Sequence, residues 1–356
     1  MDFQEILQNK TKNRWFQMAN YVFFFIVGMF LLYLAFKGQD MNALANAFAE
    51  ANYYYLIPLL AATILNHVIR ALRWQMLMKP LGHSPSFVNT FTTMMFGYFV
   101  NYGIPRVGEL VRCWALQKKE KVPATASFGT VMVERLVDLL VLAMLVSLVF
   151  VLRYTQISDF FTVHIFSPLY IWANDKFMNN NKLIFIILGL AALLVYWLYE
   201  KSKKVVTEDK ISKLDQMINE VWDGLNAFLK LKNYTLFIIY TLLIWVGYFL
   251  TTYFWVLAFE QTANFDFMTV TTIMVVGTLG RSLPIQGGGM GSYHFFIAKI
   301  LLVFGVNETV GNAFAILNHG AQAIFQIVFG ILCGVYIFYG KSTETDKSTI
   351  SQQVIS

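Results

Sequence analysis

The chain has 356 residues, of which 57% are hydrophobic, 17% aromatic and only 13% charged. Soluble domains carry about a quarter charged residues, so this composition excludes a soluble globular protein and points to an integral membrane protein. The formal net charge of +6 does not mark a nucleic-acid binder, because the basic residues gather in short segments beside apolar runs.

Apolar runs at 15–36, 53–74, 125–152, 183–198, 236–259 and 313–339 mostly reach the ~20 residues that cross a bilayer as a helix, which predicts six full spans. The first run is too long for a signal peptide's apolar region and no small-residue cleavage site follows, so it is expected to stay as an anchor. Lys10, Lys12 and Arg14 put the N-terminus in the cytoplasm by the positive-inside rule. Arg70, Arg73 and Lys79 then mark the inner end of the second span, where the two arginines are expected to snorkel to the interface. Lys118, Lys119 and Lys121 lie inside again, as do Lys201, Lys203, Lys204, Lys341 and Lys347. The expected location is the inner, cytoplasmic membrane, with both termini cytoplasmic. Cys113 and Cys333 read as small apolar residues with no disulfide.

The segment 85–117 starts and ends on the cytoplasmic side, yet 87–100 and 110–116 are apolar enough to enter the membrane. That predicts a re-entrant helical hairpin, turning at Asn101-Tyr102-Gly103-Ile104-Pro105 and returning with Arg106 and Glu109. Broken backbone at membrane depth must be buried in protein or line a cavity. A second hairpin is expected from the external side, entering over 267–278 and leaving over 293–304. Its turn carries Arg281, Pro284, Gly288, Gly289 and Gly291, with His294 within one turn beyond.

The fold class expected is therefore an all-α polytopic membrane protein with about six full spans and two re-entrant hairpins in an inverted repeat. An anchor span and external loop occupy 1–52, and the first repeat of span, hairpin and span occupies 53–152. A loop, a span and a cytoplasmic amphipathic linker helix at 211–230 fill 153–235, the second repeat takes 236–340, and 341–356 is a polar tail expected to be disordered. Inverted repeats are typical of secondary transporters, whose sites lie near the midplane where broken helices meet.

Charges inside such sequence are expensive, about 2.5 to 3.5 kcal/mol each at the bilayer centre. Arg106, Glu109 and Arg112 recur at helical spacing, and Glu134, Arg135 and Asp138 follow on the next span. Three basic and three acidic residues suit ion pairs that pin the hairpin to that span. Equally, one arginine could be left to receive an anionic headgroup, since its planar fork suits phosphate, and both readings can hold together. The stripe Asn318, His319, Gln322 and Gln326 on the last span fits interhelical hydrogen bonding, and His294 fits either a structural group or a proton carrier.

No HExxH, CxxC, Walker loop or GxSxG occurs, so no strong motif names a reaction, and neither a catalytic residue, a metal nor a cofactor is expected. The block Asn101-Tyr-Gly-Ile-Pro105-Arg106-Val-Gly108-Glu109-Leu-Val-Arg112, followed by Val133-Glu134-Arg135-Leu-Val-Asp138, resembles the signature of the lysylphosphatidylglycerol synthase transmembrane-domain family, also called flippase-like proteins. That family closes its second glycine run with glutamate, whereas here Gly288-Gly289-Met290-Gly291 leads to His294. The resemblance implies lipid movement by a stand-alone member without the soluble synthase domain. It places the core site at Asn101, Pro105, Arg106, Gly108, Glu109, Arg112, Glu134, Arg135 and Asp138; the topology adds Arg281, Gly288, Gly289, Gly291 and His294 on the second hairpin opposite as further substrate-binding candidates.

The leading expectation is thus a lipid transporter whose partners are the membrane and a phospholipid or lipid-linked substrate, with Arg106 and Arg112 receiving the headgroup. The sequence leaves a homo-oligomer open and expects no nucleic acid. Two other classes stay in view: a membrane-embedded transferase or hydrolase using Glu134 and Asp138 for acid–base work, and a scaffold for an envelope enzyme.

Overall fold

A computed structural model describes residues 33, 41–104, 106–167, 170–171, 222–282 and 289–339 of the chain. Almost all of the expected anchor at 15–36, the span at 183–198, most of the linker at 211–230, the tail, Pro105, Pro284 and Gly288 lie outside the described residues.

Every regular element among the described residues is a helix. Helices α1 (Met41–Glu50) and α2 (Leu56–Met78) are followed by α3 (Phe87–Gly103) and α4 (Val107–Glu120), then by α5 (Ala124–Leu152) and α6 (Tyr154–Phe161). Beyond the linker come α7 (Tyr234–Ala258), α8 (Phe267–Ser282), α9 (Ser292–Val303) and α10 (Glu308–Tyr339). Helices α2, α5, α7 and α10 are long and apolar enough to cross a membrane, which places the expected spans at 53–74, 125–152, 236–259 and 313–339 on real helices. The described part thus reads long helix, helix pair, long helix, twice over.

Local signals fix where these helices start. Ser86 accepts the Asn89 N–H at 3.3 Å to open α3, and Asn233 accepts the Leu236 N–H at 2.9 Å to open α7. Asp266 opens α8 by accepting the Thr269 N–H at 2.8 Å, and those hydrogen bonds, with Arg153 beside it, hold its carboxyl below the usual carboxylate range.

Helices α3 and α4 form an antiparallel pair. Near the turn, Asn101 Oδ1 accepts the Gly108 N–H at 2.7 Å; at the far end, Glu120 Oε1 accepts from Asn89 Nδ2 at 2.6 Å. Between them the backbones nearly touch, for a Cβ on Gly108 would meet the Gly97 carbonyl oxygen at 1.9 Å. Arg106 starts the returning helix in the left-handed region, at φ 66°. Helices α8 and α9 are paired likewise: Ser292 Oγ donates to the Gly280 carbonyl at 2.7 Å, and Gly277 faces Ile297. Gly289 is at φ +87°, and a Cβ added there would meet Arg281 Cα at 2.9 Å, a conformation and a closeness that need glycine.

The two halves interlock rather than sit side by side. Helix α2 packs along α7, where Asn66 Nδ2 donates to the Ile244 carbonyl at 3.1 Å over Gly247. Helix α3 packs along α10, with Phe99 over Gly330 and Phe96 over Gly334, while α8 packs against α5. Outward faces of α2, α5, α7 and α10 expose Ile57, Leu139, Met144, Ile238, Leu242, Ile324 and Leu332, as helices that meet lipid do.

Gly108→Ala is expected to cost about 1 to 3 kcal/mol through overpacking of the α3–α4 contact and to lower the thermal midpoint in detergent. Gly103→Ala adds a methyl with nothing within 4 Å and should leave the midpoint near wild type. Equal midpoints for the two variants would contradict this account of the helix pair.

Candidate functional site

Helix α2 carries Asn66, His67, Arg70, Arg73 and Trp74 toward the interior, one stripe at helical spacing. Arg70 and Arg73 are buried, and this corrects the expectation that they snorkel to the interface. Arg70 Nη2 donates to Asp138 Oδ2 at 2.8 Å and its Nη1 donates to the Tyr98 hydroxyl at 2.9 Å. Arg73 Nη1 lies 2.8 Å from Asp138 Oδ1 and donates to Thr241 Oγ1 at 3.2 Å. One carboxylate on α5 therefore holds two arginines of α2. The charges stay in the core because their partners were already there.

A second buried pair lies beside the first. Arg112 on α4 donates to Glu134 Oε2 on α5 at 2.6 Å, and its guanidinium stacks 4.5 Å over the Trp74 ring. Trp74 Nε1 in turn donates to Thr130 Oγ1 at 3.0 Å, so the stacking surface is itself fixed. Nearer the surface, Arg135 donates to Glu109 Oε1 at 2.6 Å, with its side chain 45% exposed. The hairpin is thus pinned to α5 by ion pairs, and α2 is drawn into the same network.

Above this network opens a cavity of about 540 Å³, within the range of small-molecule sites. Its wall joins the tip of the first helix pair, at Asn101 and Tyr102, to the tip of the second, at Arg281 and Ser282. Arg70, Arg135 and Asp138 contribute from α2 and α5, and Trp245 and Tyr248 from α7. Arg281 rests 4.0 Å over the Tyr293 ring and meets no carboxylate among the described residues.

The residues singled out in the sequence fall into distinct places. Asn101, Arg135, Asp138 and Arg281 line the cavity. Arg112 and Glu134 are buried against each other behind its wall, and Glu109 holds Arg135 from the side. Gly108 lies at the helix–helix contact, while Arg106 is exposed at the turn and does not reach the cavity. Gly291, at φ +87°, begins α9 and donates its N–H to His294 Nδ1 at 3.3 Å; His294 is buried and stacks on His319 with ring centroids 5.0 Å apart. Pro105 and Gly288 are outside the described residues.

Sequence reasoning missed Asn66, His67, Tyr248 and Tyr293 as cavity residues. It also read the α10 stripe as structural only: Asn318 does donate to the Tyr293 hydroxyl at 2.7 Å, but His319, Gln322 and Gln326 face the cavity. Polar residues recurring on one face of otherwise apolar spans were the available signal.

A family model, the lysylphosphatidylglycerol synthase TM region, matches residues 21–330. The chain belongs to this family. It is similar to the UPF0104 membrane protein MJ1595 of Methanocaldococcus jannaschii, 24% identical over 325 residues, covering 86% of this chain and 91% of the relative. It is also similar to the UPF0104 membrane protein PH1989 of Pyrococcus horikoshii, 20% identical over 305 residues, covering 82% and 90% respectively. No solved structure matches. The chain is accordingly a multi-pass membrane protein of a family named for a lipid synthase.

Asp138→Asn and Glu134→Gln each leave buried guanidinium groups uncompensated and are expected to cost about 3 to 5 kcal/mol. Glu109→Gln, whose arginine partner is half-exposed, is expected to cost about 0 to 1 kcal/mol. Thermal midpoints of the three purified variants check this order, and a Glu109→Gln loss as large as the other two would refute it.

Proposed function

We propose that this protein carries a lipid headgroup across the bilayer through the cavity between its two helix pairs, the acyl chains staying in the surrounding membrane. The observation that carries this reading is the cavity wall itself: in an apolar multi-helix protein, both hairpin tips converge on a polar space holding three arginines against one carboxylate. Polar groups at membrane depth commonly mark a substrate path.

The two helix pairs are read as re-entrant hairpins entering from opposite faces of the cytoplasmic membrane, with both termini in the cytoplasm. The interlocked packing supports an inverted repeat, since the first helix of each pair contacts the closing long helix of the other half. Rocking of one half against the other then exposes the cavity to alternate sides. The headgroup-receiving arginines are Arg281, Arg70 and Arg135, because Arg112 is committed to Glu134 and Arg106 stands clear of the cavity. The enzymatic alternative finds less support: Glu134 and Asp138 each hold arginines, at 2.6 and 2.8 Å, so their oxygens are committed to ion pairs rather than presented to a substrate.

Reconstitution in vesicles with fluorescent, tail-labelled phospholipids tests the reading. Wild type is expected to speed movement of labelled lipid between leaflets over empty vesicles, and Arg281→Gln to slow it at least tenfold with the thermal midpoint preserved. Chemically altered lipid after incubation, or an Arg281→Gln rate equal to wild type, would count against it.

A further inference from the structure

Helix α9 begins inside the protein, at the tip of the second helix pair, and two side chains hold its first turn. Ser292 Oγ donates to the carbonyls of Gly280 and Gly289 at 2.7 and 3.0 Å, and His294 Nδ1 accepts the Gly291 N–H at 3.3 Å. The histidine stands at the third position of the helix, where a glutamate or glutamine ordinarily reaches back to the cap N–H. A glutamine accepts at every pH, whereas an imidazole nitrogen accepts only while it carries no proton. Because Nδ1 is the acceptor here, Nε2 bears the proton of the neutral ring and the next proton goes to Nδ1. A proton gained by His294 therefore breaks its bond to Gly291.

The neighbours decide when that happens. His294 is buried and stacks on His319 of α10, which lines the cavity; Tyr102, at the tip of the first helix pair, meets His319 edge-on with ring centroids 6.5 Å apart. Tyr293 of α9 carries Arg281 of α8 over its ring, and Arg281 is the charged group among the described residues whose field reaches His294. Helix α6 also packs on α9, but it does so through Phe160 against Phe296 and keeps Asp159 exposed. An imidazolium at position 294 would thus face the Arg281 cation and the positive end of α9, two repulsions that fall on the charged ring alone. A phosphate paired with Arg281 lowers both. By linkage, the proton then favours the phosphate as much as the phosphate favours the proton.

We propose that the protein is a proton-coupled carrier, in which His294 takes up a proton together with a phosphate at Arg281 and, by giving up the Gly291 cap, frees the tip of the second helix pair to move. The proton comes from water of the cavity, which His319 faces, binds Nδ1 in place of the Gly291 N–H, and returns to water when the phosphate leaves. The inference rests on the headgroup-carrier reading above and adds to it the ion that drives it. It concerns the phosphate alone, so headgroups that differ beyond the phosphate are coupled alike.

Vesicles holding the full chain and tail-labelled phosphatidylglycerol, a phosphodiester whose own charge is constant near neutral pH, test the coupling. Wild-type movement is expected to rise about fivefold between about pH 8 and pH 6. His294→Gln keeps an acceptor for the Gly291 N–H and takes no proton, so it is expected to preserve the thermal midpoint and to stay at the slow rate at both pH values. His294→Ala, which has no acceptor, is expected to lower the midpoint and to lose the pH dependence too. A wild-type rate that is flat with pH, or a rise equal to the wild type's in either variant, overturns the coupling while leaving lipid movement in place. If no lipid moves, calorimetry of the detergent-purified chain with soluble glycerophosphoglycerol, in two buffers of unlike protonation heat, decides. A proton taken up with the phosphodiester by wild type and not by His294→Gln retains the linkage and removes the carrier reading; binding without proton uptake removes the linkage, and no binding removes both.

Discussion

A buried arginine in an apolar helix is costly unless a partner offsets its desolvation, and in this chain Asp138 and Glu134 on another helix meet Arg70, Arg73 and Arg112 in that way. These three cations lie on α2 and α4 while their two carboxylates lie on α5, so each of these pairs ties one helix to another. Docking of the three helices is therefore not a matter of apolar contact alone, which lipid would supply as well as protein does. Desolvation of several kcal/mol per ion makes every partly assembled arrangement costly, so the network selects one register of α2 and α4 against α5. The aromatic rings under the guanidinium groups, Trp74 beneath Arg112 and Tyr248 near Arg70, hold the cations flat and in place.

Small residues then decide how near the remaining helices come. Gly97 and Gly108 let α3 and α4 touch backbone to backbone, Gly247 admits the Asn66 amide, and Gly330 receives Phe99. The tips of both helix pairs line one cavity, which is the space the helices do not fill. Asn101 shows the double duty this imposes: its side chain holds the turn through the Gly108 N–H and also forms part of the cavity wall. Because Asp138 is shared by two arginines at 2.8 Å each, the wall it belongs to keeps a cationic bias, and Arg281 on the opposite hairpin adds to it.

Much of the architecture was legible from residue order. Hydropathy alone located four long helices to within a few residues, and Gly-Pro interruptions located both helix pairs. The motif residues led to Arg112, Glu134, Arg135 and Asp138, and the balance of charge foretold ion pairs. Partners were a different matter. Pairing within the six-residue cluster seemed sufficient by count, yet Asp138 turned to Arg70 and Arg73, more than sixty positions earlier. Arg106, placed at the centre by motif position, sits exposed at the start of the returning helix, at φ 66°, and does not reach the cavity.

By itself the sequence determined that the chain lives in a membrane, roughly where its four described long helices run, and that charged residues had to be buried among them, since hydropathy and desolvation are read from composition and spacing. Tertiary structure alone decided which charge meets which, and so which arginines remain to face the cavity. That choice depends on helix rotation and distance in space. A side chain such as Arg70 near the inner end of a span can equally snorkel or turn inward, and it turns inward because Asp138 and the Tyr98 hydroxyl stand within hydrogen-bonding reach.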